Sequence, residues 1–277
     1  MEPVDLLLIT WNRRGYVEKT LENLLASNDD FRLYCWDNNS QDGVADIISS
    51  LNDPRIVEKK FSTENVKQRI PTLWFFEQAK SDLVGKIDDD ILLPEGWIST
   101  IAPIVRDNSN VGMLGCWIYM EEDWNESIAE HKVLNLEGER IFQNMWIAGQ
   151  SFLARKETLL RYILPESDGC YGFPIDQYNM TQDGLINGYP LPIIFAHNMD
   201  DPRSKYYINK NNGELGEHAA LTARARGFVN VNAYAEWIAE DARNILIVSV
   251  KEQLKRAYID GDQSLIGKIR RKLAKFL

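Results

Sequence analysis

Val84-Gly85-Lys86-Ile87-Asp88-Asp89-Asp90-Ile91-Leu92-Leu93-Pro94 sets three consecutive aspartates directly behind a short apolar run. Asp82 to Ile87 is mostly β-compatible, which predicts a buried strand with Asp88 leaving its carboxyl end. In open α/β sheets that edge is where ligands bind. Three adjacent carboxylates repel one another, and a bound cation or an arginine cluster is what readily offsets the cost. The competing reading is an acidic turn capping a helix that begins at Pro94-Glu95-Gly96-Trp97-Ile98, because Asp and Pro are ordinary turn and helix-start residues. Which reading holds depends on what the rest of the chain brings to the same edge.

Upstream, Leu6-Leu7-Leu8-Ile9 reads as a buried strand broken by Thr10-Trp11-Asn12-Arg13-Arg14-Gly15. Tyr16 to Ala26 follows as a helix, with Val17, Leu21, Leu24 and Leu25 recurring at helical spacing. Phe31 to Trp36 is a second strand, ended by the turn formers Asp37-Asn38-Asn39-Ser40-Gln41-Asp42-Gly43. Ala45 to Leu51 reads as a short helix, Ile56 to Phe61 as a third strand, and Ile70 to Ala79 as the helix that leads into the Asp82 strand. This βαβαβαβ order implies a parallel, doubly wound sheet. The polar turns at Thr10 to Arg14, Asp37 to Asp42 and Asp88 to Asp90 all follow strands and so fall on one rim. Neither G-x-G-x-x-G nor G-x-x-x-x-G-K-[ST] occurs at the first turn, so phosphates must be held without a glycine nest. A divalent metal on Asp90 would hold them.

The chain has 277 residues and a formal net charge of -10. That length accommodates one large α/β domain with extensions or two modest ones. The acidic balance argues against a general nucleic-acid binder, whose phosphate partner calls for a basic surface. Cys35, Cys116 and Cys170 are widely spaced, which suits a reducing compartment and offers no zinc-type spacing. No signal peptide precedes the first strand, and no apolar run reaches the roughly 18 residues of a membrane span. A cytoplasmic location is expected.

Ile9-Thr10-Trp11-Asn12-Arg13, then Trp36-Asp37-Asn38-Asn39-Ser40-Gln41-Asp42, then Ile87-Asp88-Asp89-Asp90 with Pro94 and Trp97, resembles the N-terminal half of family 2 glycosyltransferases of the GT-A fold. The resemblance runs from Asp5 to about His197. It implies an α/β fold with a Rossmann-like nucleotide-binding sheet flanked by helices, an acceptor-binding second half and a C-terminal helical extension. The corresponding bounds are 1–215 for the glycosyltransferase domain, divided into 1–115 and 116–215, and 216–277 for the extension. On the donor side it implies that Thr10 and Asp37 hold the nucleoside base, a carboxylate being a sensible acceptor for a uracil imide N–H. Asp37 has the alternative of a simple Asx turn. Asn12 and Asn39 belong to the same donor-side turns, and Arg13 could reach a phosphate. In the family's D-x-D motif the first carboxylate lies near the ribose and the third binds Mn²⁺ or Mg²⁺. Those roles fall on Asp88 and Asp90, with Asp89 a supporting neighbour.

In the second half, Trp146-Ile147-Ala148-Gly149-Gln150-Ser151-Phe152-Leu153-Ala154-Arg155 reads as strand, tight turn, strand, and Lys156 to Ile163 as a helix. The segment resembles the family region beneath the acceptor, which makes Gly149 and Gln150 acceptor-side candidates; Gly149 could equally be a hairpin glycine. Pro174 opens a further helix, with Gly188 placed at its end. The resemblance makes Asp176 the general base, although Ile175 replaces the usual first acid of that pair, and Asp176, Asn179 and Asp183 could equally share a solvated face. His197, after the strand-like Leu191 to Phe195, resembles a family metal or diphosphate contact, and imidazole is a reasonable Mn²⁺ ligand beside carboxylates. Asp200, Asp201 and Arg203 follow in a polar loop. Trp124 sits among Glu121, Glu122, Asp123 and Glu126, where burial is not expected, and its ring would stack on an acceptor sugar.

From Lys251 to Leu277 there are eight basic and three acidic residues, +5 against -15 for the rest of the chain. Leu265, Ile266, Ile269, Leu273 and Phe276 would form one face of a basic amphipathic helix, suited either to an anionic membrane surface at the inner face of the cell membrane or to packing and dimerisation. Together these readings imply an inverting, metal-dependent transferase that uses a nucleotide-diphospho-sugar, with uridine favoured, and a saccharide or lipid-linked saccharide acceptor in surface glycan synthesis. The rivals are a sugar-nucleotide pyrophosphorylase, which calls for a phosphate loop richer in glycine than Thr10 to Gly15, and a glycan-binding scaffold without activity.

Overall fold

The computed structural model describes residues 2–136, 138–163, 173–208, 223–224 and 226–261. The first half alternates as read from the sequence: β1 (Val4–Thr10), α1 (Arg14–Ala26), β2 (Phe31–Asp37), α2 (Val44–Ser50), β3 (Ile56–Phe61), α3 (Arg69–Gln78) and β4 (Leu83–Ile87). After the triplet come β5 (Ile91–Leu92), α4 (Trp97–Asp107), β6 (Val111–Gly115), a short α5 (Glu126–Ala129), β7 (Val133–Leu136), β8 (Glu139–Gln143), β9 (Ser151–Arg155) and α6 (Lys156–Tyr162). The chain continues through α7 (Pro174–Gln182), β10 (Ile186–Leu191), β11 (His197–Asn198), α8 (Val231–Ile247) and α9 (Val250–Gly261).

Nine strands join in the order β3-β2-β1-β4-β9-β6-β10-β8-β7, and β5 pairs with β11 in a separate two-stranded ribbon. Strands β1 to β4 are mutually parallel, with Thr10 opposite Asp37 and Leu8 opposite Ile87. Their carboxyl ends therefore share one edge, as the sequence implied. The alternation of β1 sorts its side chains between two layers. Leu6 and Leu8 meet Val17, Leu21 and Leu24 of α1 and Ile101 of α4, whereas Leu7 meets Phe75 and Phe76 of α3 on the opposite face. Both faces are thus covered, which is why β1 and β4 read as continuous apolar runs. Burial of each such Leu or Phe contributes about 1.5–3 kcal/mol.

The second half departs from the reading in three places. The strand-turn-strand expected over Trp146 to Arg155 is only the strand β9; residues 146–150 are irregular, and β9 runs antiparallel between β4 and β6. Gly188 does not end the Pro174 helix. That helix stops at Gln182, Gly184 at φ 87° supplies the left-handed turn, and Gly188 lies within β10, where a Cβ would collide with the Phe142 carbonyl. The strand placed at Leu191 to Phe195 lies earlier, at Ile186–Leu191. Four of the nine strands, β6, β10, β8 and β7, lie on the far side of β9.

Helices α8 and α9 pack onto the second half. The Tyr119 hydroxyl donates to Asp241 at 2.6 Å, Gln253 Nε2 donates to Asn144 at 2.6 Å, and the Met145 N–H donates to Gln253 at 3.0 Å. The amphipathic segment from Leu265 to Phe276 lies outside the described residues. Among the described residues no helix is long and apolar enough to cross a membrane.

Candidate active site

The first two turns are stitched together through Asp37, 1 % exposed at the end of β2. Its carboxylate accepts from the Thr10 hydroxyl at 2.9 Å, the Ser40 N–H at 2.9 Å and the Ser40 hydroxyl at 2.5 Å. The Ser40 bonds are the local Asx-type geometry that the sequence also allowed. Asn12 closes the other side: its N–H donates to the Ser40 hydroxyl at 2.7 Å and its side-chain oxygen accepts from the Gln41 N–H at 2.8 Å. Gln41 Nε2 donates to the Asn39 side chain at 2.9 Å. Asn12, Arg13 and Asn39 all have φ near +60°, a conformation that costs most residues and that Asn tolerates better than other non-glycine residues.

The triplet lies beside these turns, and the cations that offset it come from the chain. Arg13, 8 % exposed, donates through Nη1 to Asp89 and to Asp90, each at 3.2 Å, and through Nη2 to Asp200 at 2.6 Å. Lys86, 2 % exposed near the carboxyl end of β4, donates to Asp88 and to the Gly149 carbonyl. Gln150 Nε2 donates to the second oxygen of Asp90 at 3.2 Å, and the Asp88 N–H donates to the Gln150 carbonyl at 2.9 Å. Burial pushes the Asp89 carboxyl up to about 8; Arg13 opposes that shift, and Asp90 and Asp88 add to it. Burial likewise raises Asp88, against the pull of Lys86.

Thr10, Asn12, Arg13, Asp37, Asn39, Asp88, Asp89, Asp90, Gly149 and Gln150 thus gather at one edge. Nothing within 4 Å would obstruct a Cβ on Gly149, so that glycine is not forced by packing. Asp176 is separate. It is wholly buried near the start of α7 and ion-paired with Arg69 at 3.1 Å. The neighbouring Gln177 fixes α7 under the Gly149 loop by accepting from the Ile147 N–H at 2.6 Å. His197 lies on β11, paired with Leu92 of β5 directly after the triplet. Its ring lies 4.7 Å from Tyr206, it lines a cavity of about 400 Å³ with Glu121, Arg203 and Lys205, and burial together with Lys205 holds its imidazole below the usual value. Trp124 is not left in solvent by the acids around it. Half-buried, its ring packs edge-on against Trp117 at 5.2 Å and Phe142 at 5.1 Å, at the margin of the aromatic core. Sequence reasoning missed Lys86, Ser40 and Arg69; only Lys86 left a sign, as a charged residue inside an otherwise apolar strand.

The donor set suits a hard divalent cation. Asp88 and Asp90 offer carboxylate oxygens, and Gln150 Oε1, buried beside Asp90, has no hydrogen-bond partner. Among the described residues no three His, Cys, Asp or Glu side chains converge closely enough to hold an ion by themselves. Such an ion would therefore need oxygens from its ligand, as Mg²⁺ and Mn²⁺ commonly do with diphosphates.

A parallel sheet whose carboxyl edge joins a buried carboxylate hub to a D-x-D turn, continued by a mixed-strand half, is the GT-A architecture. Residues 5–163, more than half of the chain, match the family described as Glycosyl transferase family 2, and the chain belongs to that family. No curated protein matches. Among solved structures, the mannosyltransferase PcManGT from Pyrobaculum calidifontis in complex with GDP-Man and Mn²⁺ is similar at 13 % identity and a TM-score of 0.57, over 98 % of this chain and 79 % of that one. S. aureus TarS 1–349 in complex with UDP-GlcNAc is similar at 11 % identity and a TM-score of 0.55, over 70 % of this chain. GalNAc-T7 with UDP, GalNAc and Mn²⁺ is similar at 10 % identity and a TM-score of 0.52, over 72 % of this chain and 44 % of that one. The match spans 58 % of the TarS chain, and at these identities the likeness establishes the fold alone.

Proposed function

We propose that this chain is an inverting glycosyltransferase that moves a sugar from a nucleotide-diphospho-sugar, preferentially a UDP-sugar, to a saccharide or lipid-linked saccharide during surface glycan synthesis. The observation that carries the reading is the convergence of the Thr10–Asp37 hub and the Asp88–Asp90 turn on one sheet edge, within the segment that matches the family. Asp37 accepts from the base, as a buried carboxylate suits an imide N–H. Asp88 and Asp90, with His197 and Gln150 as further candidate ligands, would hold Mn²⁺ or Mg²⁺, which when bound would neutralise the departing diphosphate. Asp176 takes the proton of the acceptor hydroxyl as that oxygen bonds to the anomeric carbon and the bond to the diphosphate breaks. This requires the Arg69–Asp176 pair to part when the acceptor binds.

Release of nucleotide diphosphate from a panel of UDP-, GDP- and dTDP-sugars tests the reading. Metal-dependent turnover should fall by about 10²–10⁴-fold in Asp176→Asn and disappear in Asp90→Ala. Full activity in both variants would sink the site assignment. A glycan-binding scaffold without turnover is favoured by one observation, the complete burial of Asp176 against Arg69. That reading predicts saccharide binding but no nucleotide release with any donor.

A further inference from the structure

We infer that Arg13 is the built-in counter-cation of the aspartate triplet, competing with the divalent ion so that metal alone is held weakly and metal with a nucleotide diphosphate is held well. The inference rests on the triplet being the metal site proposed above. Arg13 is buried, and its guanidinium bonds carboxylates from two separate segments: Asp89 and Asp90 of the turn after β4, and Asp200 of the loop after β11. Its Nη1 stands 3.2 Å from both Asp89 and Asp90, so one positive group already lies between two of the three triplet carboxylates. The ring of Tyr16 lies 4.1 Å from its central carbon, which adds a second attraction for positive charge at the same spot.

The cluster is charge-paired yet incompletely bonded. Arg13 Nε is buried without a hydrogen-bond partner, and so is Gln150 Oε1 beside Asp90. One orphan is a cationic donor that suits an anionic oxygen; the other is a neutral acceptor that suits a cation. Entry of a diphosphate together with a divalent ion satisfies both, and entry of the ion alone satisfies only the second while meeting the guanidinium at close range. A like charge within about 4 Å of a cation in a partly desolvated site disfavours it by more than the free energy of one decade in affinity. Asp200 acts here as a positioning residue: by binding Nη2 it holds Arg13 against the triplet.

The experiment is a titration of Mn²⁺ into the full chain, followed by the electron paramagnetic resonance signal of free Mn²⁺, with and without UDP, in the wild type and in Arg13→Met. Arg13→Met should bind Mn²⁺ alone roughly tenfold or more tightly than the wild type does, and UDP should enhance Mn²⁺ binding far more in the wild type than in the variant. Equal Mn²⁺ affinities in the absence of UDP would overturn the inference while leaving the metal site intact. Failure of the wild type to bind Mn²⁺ even with UDP would instead overturn the metal-site reading. Because Arg13→Met strands carboxylates in a buried setting, melting temperatures in EDTA and in Mn²⁺ provide a second measurement. Mn²⁺ should raise the melting temperature of the variant much more than that of the wild type, and equal shifts would count against the inference.

Discussion

Lys132 is 5 % exposed, and its ammonium donates to two neutral oxygens, Asn144 Oδ1 at 2.7 Å and the Ile245 carbonyl at 2.6 Å, with the Phe142 ring 4.8 Å away. No carboxylate is among these contacts, and burial lowers the amine from the ordinary 10.5 of lysine to about 7. Because the unfolded chain then binds the proton more readily than the folded one between about 7 and 10.5, stability must rise with pH across that window and be lowest where both states are charged, below about 7. The limiting slope is about 1.4 kcal/mol per pH unit for one proton, so from pH 6 to pH 9 the single lysine contributes a gain on the order of 2–3 kcal/mol. Lys132→Met keeps the length of the chain and removes the titration, at a cost of about 1–3 kcal/mol for the hydrogen bonds lost from the Ile245 and Asn144 oxygens. Urea unfolding at pH 6, 7, 8 and 9, with m checked for constancy, should therefore show the variant losing the upward trend that the wild type has. At pH 6, relief of the buried charge should offset the lost bonds; at pH 9 the variant should be clearly the less stable protein. Parallel stability curves for the two proteins would refute the assignment of a titrating, desolvated Lys132.

Asp37→Ala removes the shared acceptor of Thr10 and Ser40 and should lower stability by about 2–4 kcal/mol in urea, while raising the KM for the nucleotide-sugar more than it lowers kcat; an unchanged KM would leave Asp37 a purely structural Asx turn. Gly85→Ala drives a Cβ into the Phe152 carbonyl and the Leu6 and Leu153 side chains and should cost about 1–3 kcal/mol of thermal stability. It should also weaken UDP binding, because the strand it displaces carries Asp88 three residues later.

The parallel half was legible because its signals are local. Apolar runs such as Leu6 to Ile9, helix-period residues such as Val17, Leu21 and Leu24, and turn formers after each strand all act within a few residues of themselves, and the order β1-α1-β2-α2-β3-α3-β4 leaves few topologies open. The second half depends on pairings that no local pattern reports. Ser151–Arg155 is a strand because β4 and β6 flank it on both sides, and Gly188 is a strand residue because the Phe142 carbonyl needs its missing Cβ. Trp124 shows the same limit: four neighbouring acids suggested exposure, but Trp117, 7 residues upstream, and Phe142, 18 residues downstream, supply an aromatic slot. The triplet reads as a problem of charge with two solutions, a bound cation or an arginine. Among the described residues the fold supplies the second, from Arg13 in the first turn and Lys86 two residues upstream. That changes what donor binding must do. On the proposed reading, a cation arriving at Asp90 would exchange with a guanidinium already there rather than neutralise a bare cluster, and the free energy of the exchange would depend on what the displaced guanidinium binds next. A diphosphate is a strong partner for a guanidinium, so on that reading the arrangement would tie metal binding to the presence of the anion that the metal has to serve.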